Sequence, residues 1–274
     1  VEVPSKSKRL FFVFILAATR VISAGPRPAQ APAAGQPGQQ TSPSTSAPAS
    51  QQAPSAPAQP AAEPVVPAQR PFVVVLDPAH GGADLGARGS TGISEADVVL
   101  SFARLLRISL EAQGMRVILT RQANDDPSFD DRSRVSNAQR GNIFISLHVS
   151  STGEPGTVRV YSMPQLALPE NTAGAPRGGL LPWDRAQFKF MDQSRKLAEL
   201  IQIQMAQRFH GSSETPFLAP VRQLRTVGAP AVSIEVSSVS QQDRTLLDKM
   251  GPGLADGVAR AVAAFRTIYE PAGR

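Results

Sequence analysis

The stretch Phe72-Val-Val-Val-Leu-Asp-Pro-Ala-His-Gly-Gly82 decides how the rest of the chain folds. Its first five residues form a short apolar run rich in β-branched side chains, the pattern of a strand buried on both faces. Asp77 and Pro78 then stop the run, and His80 stands just beyond its carboxyl end. Gly81 and Gly82 allow the backbone to take positive φ or to approach a ligand closely.

Downstream the pattern alternates. Ser94-Glu-Ala-Asp97 opens a helix in the manner of a capping box, and Val98, Phe102, Leu105, Leu106 and Leu110 give it one apolar face. Gly114 ends it, and Met115–Thr120 reads as a second strand. Asp131–Arg140 predicts a second helix, Asn142–Leu147 a third strand and Thr157–Tyr161 a fourth. Ser194–Phe209 predicts another helix and Ala231–Val236 another strand. A final helix runs from Arg244 to Phe265, broken or bent at Gly251-Pro252-Gly253. Strands alternating with helices predict an α/β fold, a single layered domain with a mixed, mainly parallel sheet flanked by helices. In such sheets ligands gather beyond the carboxyl ends of the strands.

Before this domain the texture is different. Lys6, Lys8 and Arg9 precede the apolar run Leu10–Ala18, and Ser23-Ala24-Gly25 offers small residues for cleavage. Residues 1–24 therefore read as a signal peptide, with an uncleaved membrane anchor as the alternative. The apolar run is short of the ~20 residues that a spanning helix needs. Residues 25–70 are rich in Pro, Ala, Gln and Ser. They bury too little to offset the entropy of ordering, and they read as a disordered linker. The domain itself is placed at 71–270.

Charge and cysteine usage narrow the function classes. The formal net charge is +6. Residues 1–70 hold six basic and two acidic residues, so most of the excess lies in the leader and tether. The domain carries no basic stripe of the kind a nucleic-acid surface needs, and nucleic acid is not an expected partner. The absence of cysteine excludes disulfides and thiolate metal sites.

Two of the three histidines fall where the sheet rule puts a site. His80 follows the first strand and His148 ends the third. Glu95, at the mouth of the first helix, supplies a carboxylate between them in sequence. Two imidazoles and a carboxylate suit zinc, although each histidine taken alone reads more often as a satisfied polar residue than as a ligand. Glu235 lies near the end of a buried strand. It is either on the outward face of an edge strand or a general base for metal-assisted hydrolysis. His210, beside Gly211 at a helix end, reads as a cap or a solvated residue.

Six segments together carry a family pattern: Val75–Gly82, Ile93–Leu100, Gly114–Arg121, Asp131–Ala138, Ile143–His148 and Pro230–Val236. In this order they resemble the zinc-dependent N-acetylmuramoyl-L-alanine amidases of the amidase-3 type. The resemblance implies Zn2+ held by His80, Glu95 and His148, with Glu235 catalytic. It implies peptidoglycan as substrate and, with the leader, export to the periplasm or cell envelope. The bond implied is the amide between N-acetylmuramic acid and L-alanine. Another zinc peptidase of the cell wall, or a catalytically weak wall-binding or regulatory module, is the alternative.

The chain departs from the pattern at Ala79, at Val149-Ser150-Ser151 and at Val236–Val239, all on the expected cleft wall. Some relatives carry an inserted helix that covers the site until a protein activator moves it. Here Ser162–Asp192 is too rich in proline and glycine for a long helix, and it reads as a surface excursion, with a lid as the alternative. Asp77 is expected either to orient His80 or to cap its loop. Arg222 and Arg225 are expected either to meet stem-peptide carboxylates or to be solvated.

Overall fold

The computed structural model describes residues 71–165, 183–239 and 244–269. The expected leader (1–24), the expected linker (25–70) and most of the surface excursion lie outside them. Twelve elements follow in order. They are β1 (Val73–Pro78), α1 (Glu95–Ala112), β2 (Arg116–Leu119), α2 (Phe129–Asn137), β3 (Asn142–Ser150), β4 (Val158–Ser162), a 3-10 segment (Trp183–Phe190), α3 (Met191–Arg208), β5 (Phe217–Leu218), α4 (Arg222–Arg225), β6 (Ala231–Ser237) and α5 (Arg244–Ile268).

The strands form one sheet in the order β2-β1-β3-β6-β4-β5. Pairing is parallel except between β4 and β6, so the sheet is mixed and mainly parallel, as expected. Alternation along the strands divides the side chains between two faces. Val74, Leu76, Ile145, Leu147, Ile234 and Val236 point into the larger core with Phe102, Leu106, Leu197, Ile201, Val258 and Phe265 from α1, α3 and α5. Val73, Val75, Phe144 and Ala231 meet Leu224 and Val227 on the other face. Each fully buried large side chain contributes roughly 1.5–3 kcal/mol, so this sorting fixes which face each strand turns to the helices.

Helix α1 begins as its sequence predicts. Ser94 Oγ accepts from Asp97 N at 3.2 Å and donates to the Asp97 carboxylate at 2.6 Å. Of the break or bend expected in the last helix, the break is not found: α5 is continuous through Pro252. Its buried face from Leu247 to Phe265 packs along α1 and α3. That burial outweighs the ~3 kcal/mol a proline costs inside a helix. Pro252 itself points to solvent. No helix among the described residues is long and apolar enough to cross a membrane.

Candidate active site

Strands β1 and β3 are neighbours, so their carboxyl ends bring His80 and His148 to the same rim. The ring centroids are 5.5 Å apart and nearly perpendicular. Glu95 enters between them from the first turn of α1, where the helix N-terminus favours a carboxylate. Ligand atoms of His80, Glu95 and His148 all lie within 4.8 Å of one another. His80 presents Nε2, 3.2 Å from Glu95 Oε2, and His148 presents Nδ1, 2.9 Å from Glu95 Oε1.

The surrounding chain fixes this arrangement. Val149 N donates to Glu95 Oε1 at 3.0 Å and Ala87 N to Oε2 at 2.8 Å, so the buried carboxylate cannot swing away. His80 Nδ1 is 2.7 Å from Asp84 Oδ2, which fixes the ring with Nε2 facing inward. His80 has φ +60, an unusual conformation for a residue with a side chain. Arg132 holds it there, donating to the His80 carbonyl at 2.8 Å. Arg121 holds the same loop through the carbonyls of Pro78 and Ala79.

Asp77 takes neither of its expected roles. It is buried, pairs with Arg132 at 2.7 Å and accepts from Thr120 and Ser146. Alternation is the reason: Asp77 points from the strand into the sheet face, whereas His80 lies on the loop three residues on. The orienting carboxylate is Asp84, a loop residue that gave no sign of this role in the sequence.

The electrostatics call for positive charge at the centre. Burial alone would raise the Glu95 carboxyl. Hydrogen bonds from His148 and His80, with their charges, outweigh it and hold the group well below the usual carboxylate range. Burial lowers His80, but Glu95 and then Asp84 outweigh it and lift the imidazole to about 9. Two imidazole nitrogens and a buried carboxylate thus converge on a point that favours a cation, and they could hold a metal ion.

Glu235 of β6 is the register partner of His148 in β3, which places both side chains on one face of the sheet. Of the two readings open in the sequence, the outward position on an edge strand is ruled out, because β6 lies between β3 and β4. Its carboxylate is about a quarter exposed (26%), and its Oε1 lies 3.1 Å from Arg159 Nη2 and accepts from the Tyr161 hydroxyl at 3.3 Å. Beside the histidines lies a cavity of about 140 Å3, lined by Asp126, Phe129, Arg132 and Gln223 among others. Arg222 stacks over Phe129, 4.3 Å from the ring centroid, and Arg225 lies 3.7 Å from Asp184. His210 is exposed in the turn after α3, outside the group. Arg159 and Tyr161 drew no attention in the sequence, where only their place on one face of a short strand could have flagged them.

Comparison with known proteins agrees with this fold. The N-acetylmuramoyl-L-alanine amidase family matches residues 74–264. The amidase AmiC of Escherichia coli is 42% identical over 99 residues, which cover 34% of this chain and 23% of that protein. AmiC of Neisseria meningitidis is 30% identical over 189 residues, 61% of this chain and 45% of that one. The matched part therefore spans less than half the length of these curated relatives. Among solved structures, the amidase AmiC2 of Nostoc punctiforme superposes with a TM-score of 0.56 at 23% identity, covering 72% of this chain and 97% of that one. An N-acetylmuramoyl-L-alanine amidase from Clostridium difficile 630 gives 0.57 at 20% identity, covering 73% and 99%. At these identities the structures speak for the fold, and the family match carries the assignment: this chain belongs to the N-acetylmuramoyl-L-alanine amidase family.

Proposed function

We propose that the domain hydrolyses the amide bond between N-acetylmuramic acid and L-alanine in peptidoglycan, with zinc held by His80, Glu95 and His148 and Glu235 as general base. The observation that carries this reading is the gathering of the three donors within 4.8 Å, with Glu235 beside His148 on the next strand. Two imidazoles and one carboxylate form a donor set of catalytic zinc, leaving a position open for water. The names of the relatives supply the substrate class.

Zinc, when bound, supplies Lewis acidity that acidifies water and polarises a carbonyl. The residues do the rest. Asp84 keeps the proton on His80 Nδ1, so Nε2 remains a donor to the metal. Glu235 takes the proton of the attacking water and returns it to the nitrogen of the departing L-alanine. The exposure of Glu235 and the open cavity beside His80 allow an extended polymer to reach both groups. The basic and apolar leader, with a substrate in the wall, supports export to the periplasm or cell envelope.

Digestion of purified sacculi by the zinc-loaded protein tests the proposal. Stem peptides with a free L-alanine amino end should appear by mass spectrometry. The Glu235→Gln variant should keep its zinc and lose at least ~100-fold in turnover, in line with the usual worth of a general base. Release of shorter peptides that leave L-alanine on the sugar would point instead to a wall peptidase. Native protein that contains no zinc and binds sacculi without releasing peptides would make it a binding module.

A further inference from the structure

The row that contains His148 and Glu235 extends one strand further. Arg159 of β4 is the register partner of Glu235 across the antiparallel pair, so the three side chains cross β3, β6 and β4 on one face. Arg159 Nη2 lies 3.1 Å from Glu235 Oε1, and the Tyr161 hydroxyl donates to the same oxygen at 3.3 Å. The arginine cation and the tyrosine hydroxyl therefore both lie against one oxygen of the carboxylate.

Arg159 is itself held in place. Nη2 donates to Ser237 Oγ at 2.9 Å and to the Thr152 carbonyl at 3.3 Å. Gly153 makes room for it, since a Cβ there would come 2.5 Å from Nη2. The guanidinium also carries a cost: its Nε is buried with no hydrogen-bond partner among the described residues. A buried donor without a partner opposes folding. An arginine serving only to fill space could be replaced without that penalty.

We propose that Arg159 is a positioning residue for Glu235. With Tyr161 it holds Oε1 in place, so that Oε2 is the oxygen left free to take the proton of the water. A free glutamate side chain samples several rotamers, and displacement of a catalytic group by about 1 Å can cost on the order of 100-fold in rate. The ion pair removes that freedom before substrate arrives. This role rests on the reading of Glu235 as general base.

Steady-state kinetics on a soluble muramoyl peptide, with the zinc-loaded full chain, test it in Arg159→Met, Arg159→Lys, Glu235→Gln and the double variant Arg159→Met/Glu235→Gln. Arg159→Met should lower kcat about 10- to 100-fold with KM unchanged. Arg159→Lys should recover part of the loss, because it restores a cation without the planar guanidinium whose Nη2 meets Ser237, Thr152 and Glu235 together. In the Glu235→Gln background, Arg159→Met should cost nothing more. A crystal structure of metal-free Arg159→Met should show the Glu235 carboxylate turned from its place beside His148.

Wild-type kcat in Arg159→Met, a raised KM with kcat intact, or an undiminished loss in the Glu235→Gln background would each overturn the positioning role. None of these touches the base itself. Wild-type turnover by Glu235→Gln alone is the separate result that removes the general base, and the role of Arg159 with it. Should Arg159→Met fail to fold, Arg159→Lys alone and combined with Glu235→Gln is read in the same way.

Discussion

Gly86 shows how little slack surrounds the proposed metal ligands. It has φ +63, and a Cβ there would stand 2.5 Å from Glu95 Oε2 and 2.7 Å from His80 Cδ2. Gly86→Ala should cost about 1 kcal/mol or more from backbone strain alone. It should also displace the carboxylate, so the zinc content after dialysis should fall well below that of the wild type. The tyrosines offer a second check at this scale. The chain has two, Tyr161 and Tyr269. Burial raises both, and the Glu235 charge adds to the effect at Tyr161, opposed by Arg159. A folded pKa above the unfolded one stabilises the protein below pH 10, and that contribution is lost as pH rises further. Ultraviolet titration of the folded protein should therefore show tyrosinate forming at a higher pH than in urea, which should return both groups to their ordinary value. The placing of His80 and His148 at strand ends and of Glu95 at a helix mouth was legible from pattern, while their grouping with Glu235 came from the family resemblance. Asp84, Arg159 and Tyr161 were not legible, since their partners are chosen by loop path and strand register, which a single sequence does not display.

At the scale of elements, the start of α1 joins stability to chemistry. Ser94 caps the helix whose first residue is Glu95. Ser94→Ala should cost ~1 kcal/mol, visible as a lower urea midpoint with an unchanged slope. It should also weaken zinc binding in chelator competition, because the frayed turn must be ordered again around Glu95. Helix α5 predicts the opposite sign. Pro252 removes one backbone donor from the helix interior while its ring is exposed. Pro252→Ala should therefore raise the thermal midpoint, by up to ~3 kcal/mol of stability. The strong strands and long helices could be read from periodicity, with ends displaced by a few residues. The two-residue β5, the four-residue α4 and the 3-10 segment before α3 could not, because none is long enough to show a period. The helix expected to break or bend at Gly251-Pro252-Gly253 does not break, because local propensity lost to the buried face of α5.

For the whole molecule, the sheet sorts function from packing. One face meets α1, α3 and α5 through an almost unbroken apolar core. The other carries apolar side chains at the amino ends of its parallel strands and polar ones toward their carboxyl ends, where Asp77, Ser146, His148 and Glu235 lie. Zinc bound only by the folded state must stabilise it by linkage, ~2.7 kcal/mol when free metal is a hundredfold above its Kd. Calorimetry with and without chelator should show a thermal midpoint that rises with zinc in the wild type and stays flat in His148→Ala. The in-step pairing of His148 with Glu235 and of Leu147 with Ile234 has a last consequence. A slip of β6 by one position would drive a carboxylate among the leucines and turn an isoleucine out toward water. Correct strand alignment and a working centre are thus a single event in refolding. Recovered turnover in a refolded sample would report that β3 and β6 had met in step, before any spectroscopic probe of the backbone was consulted.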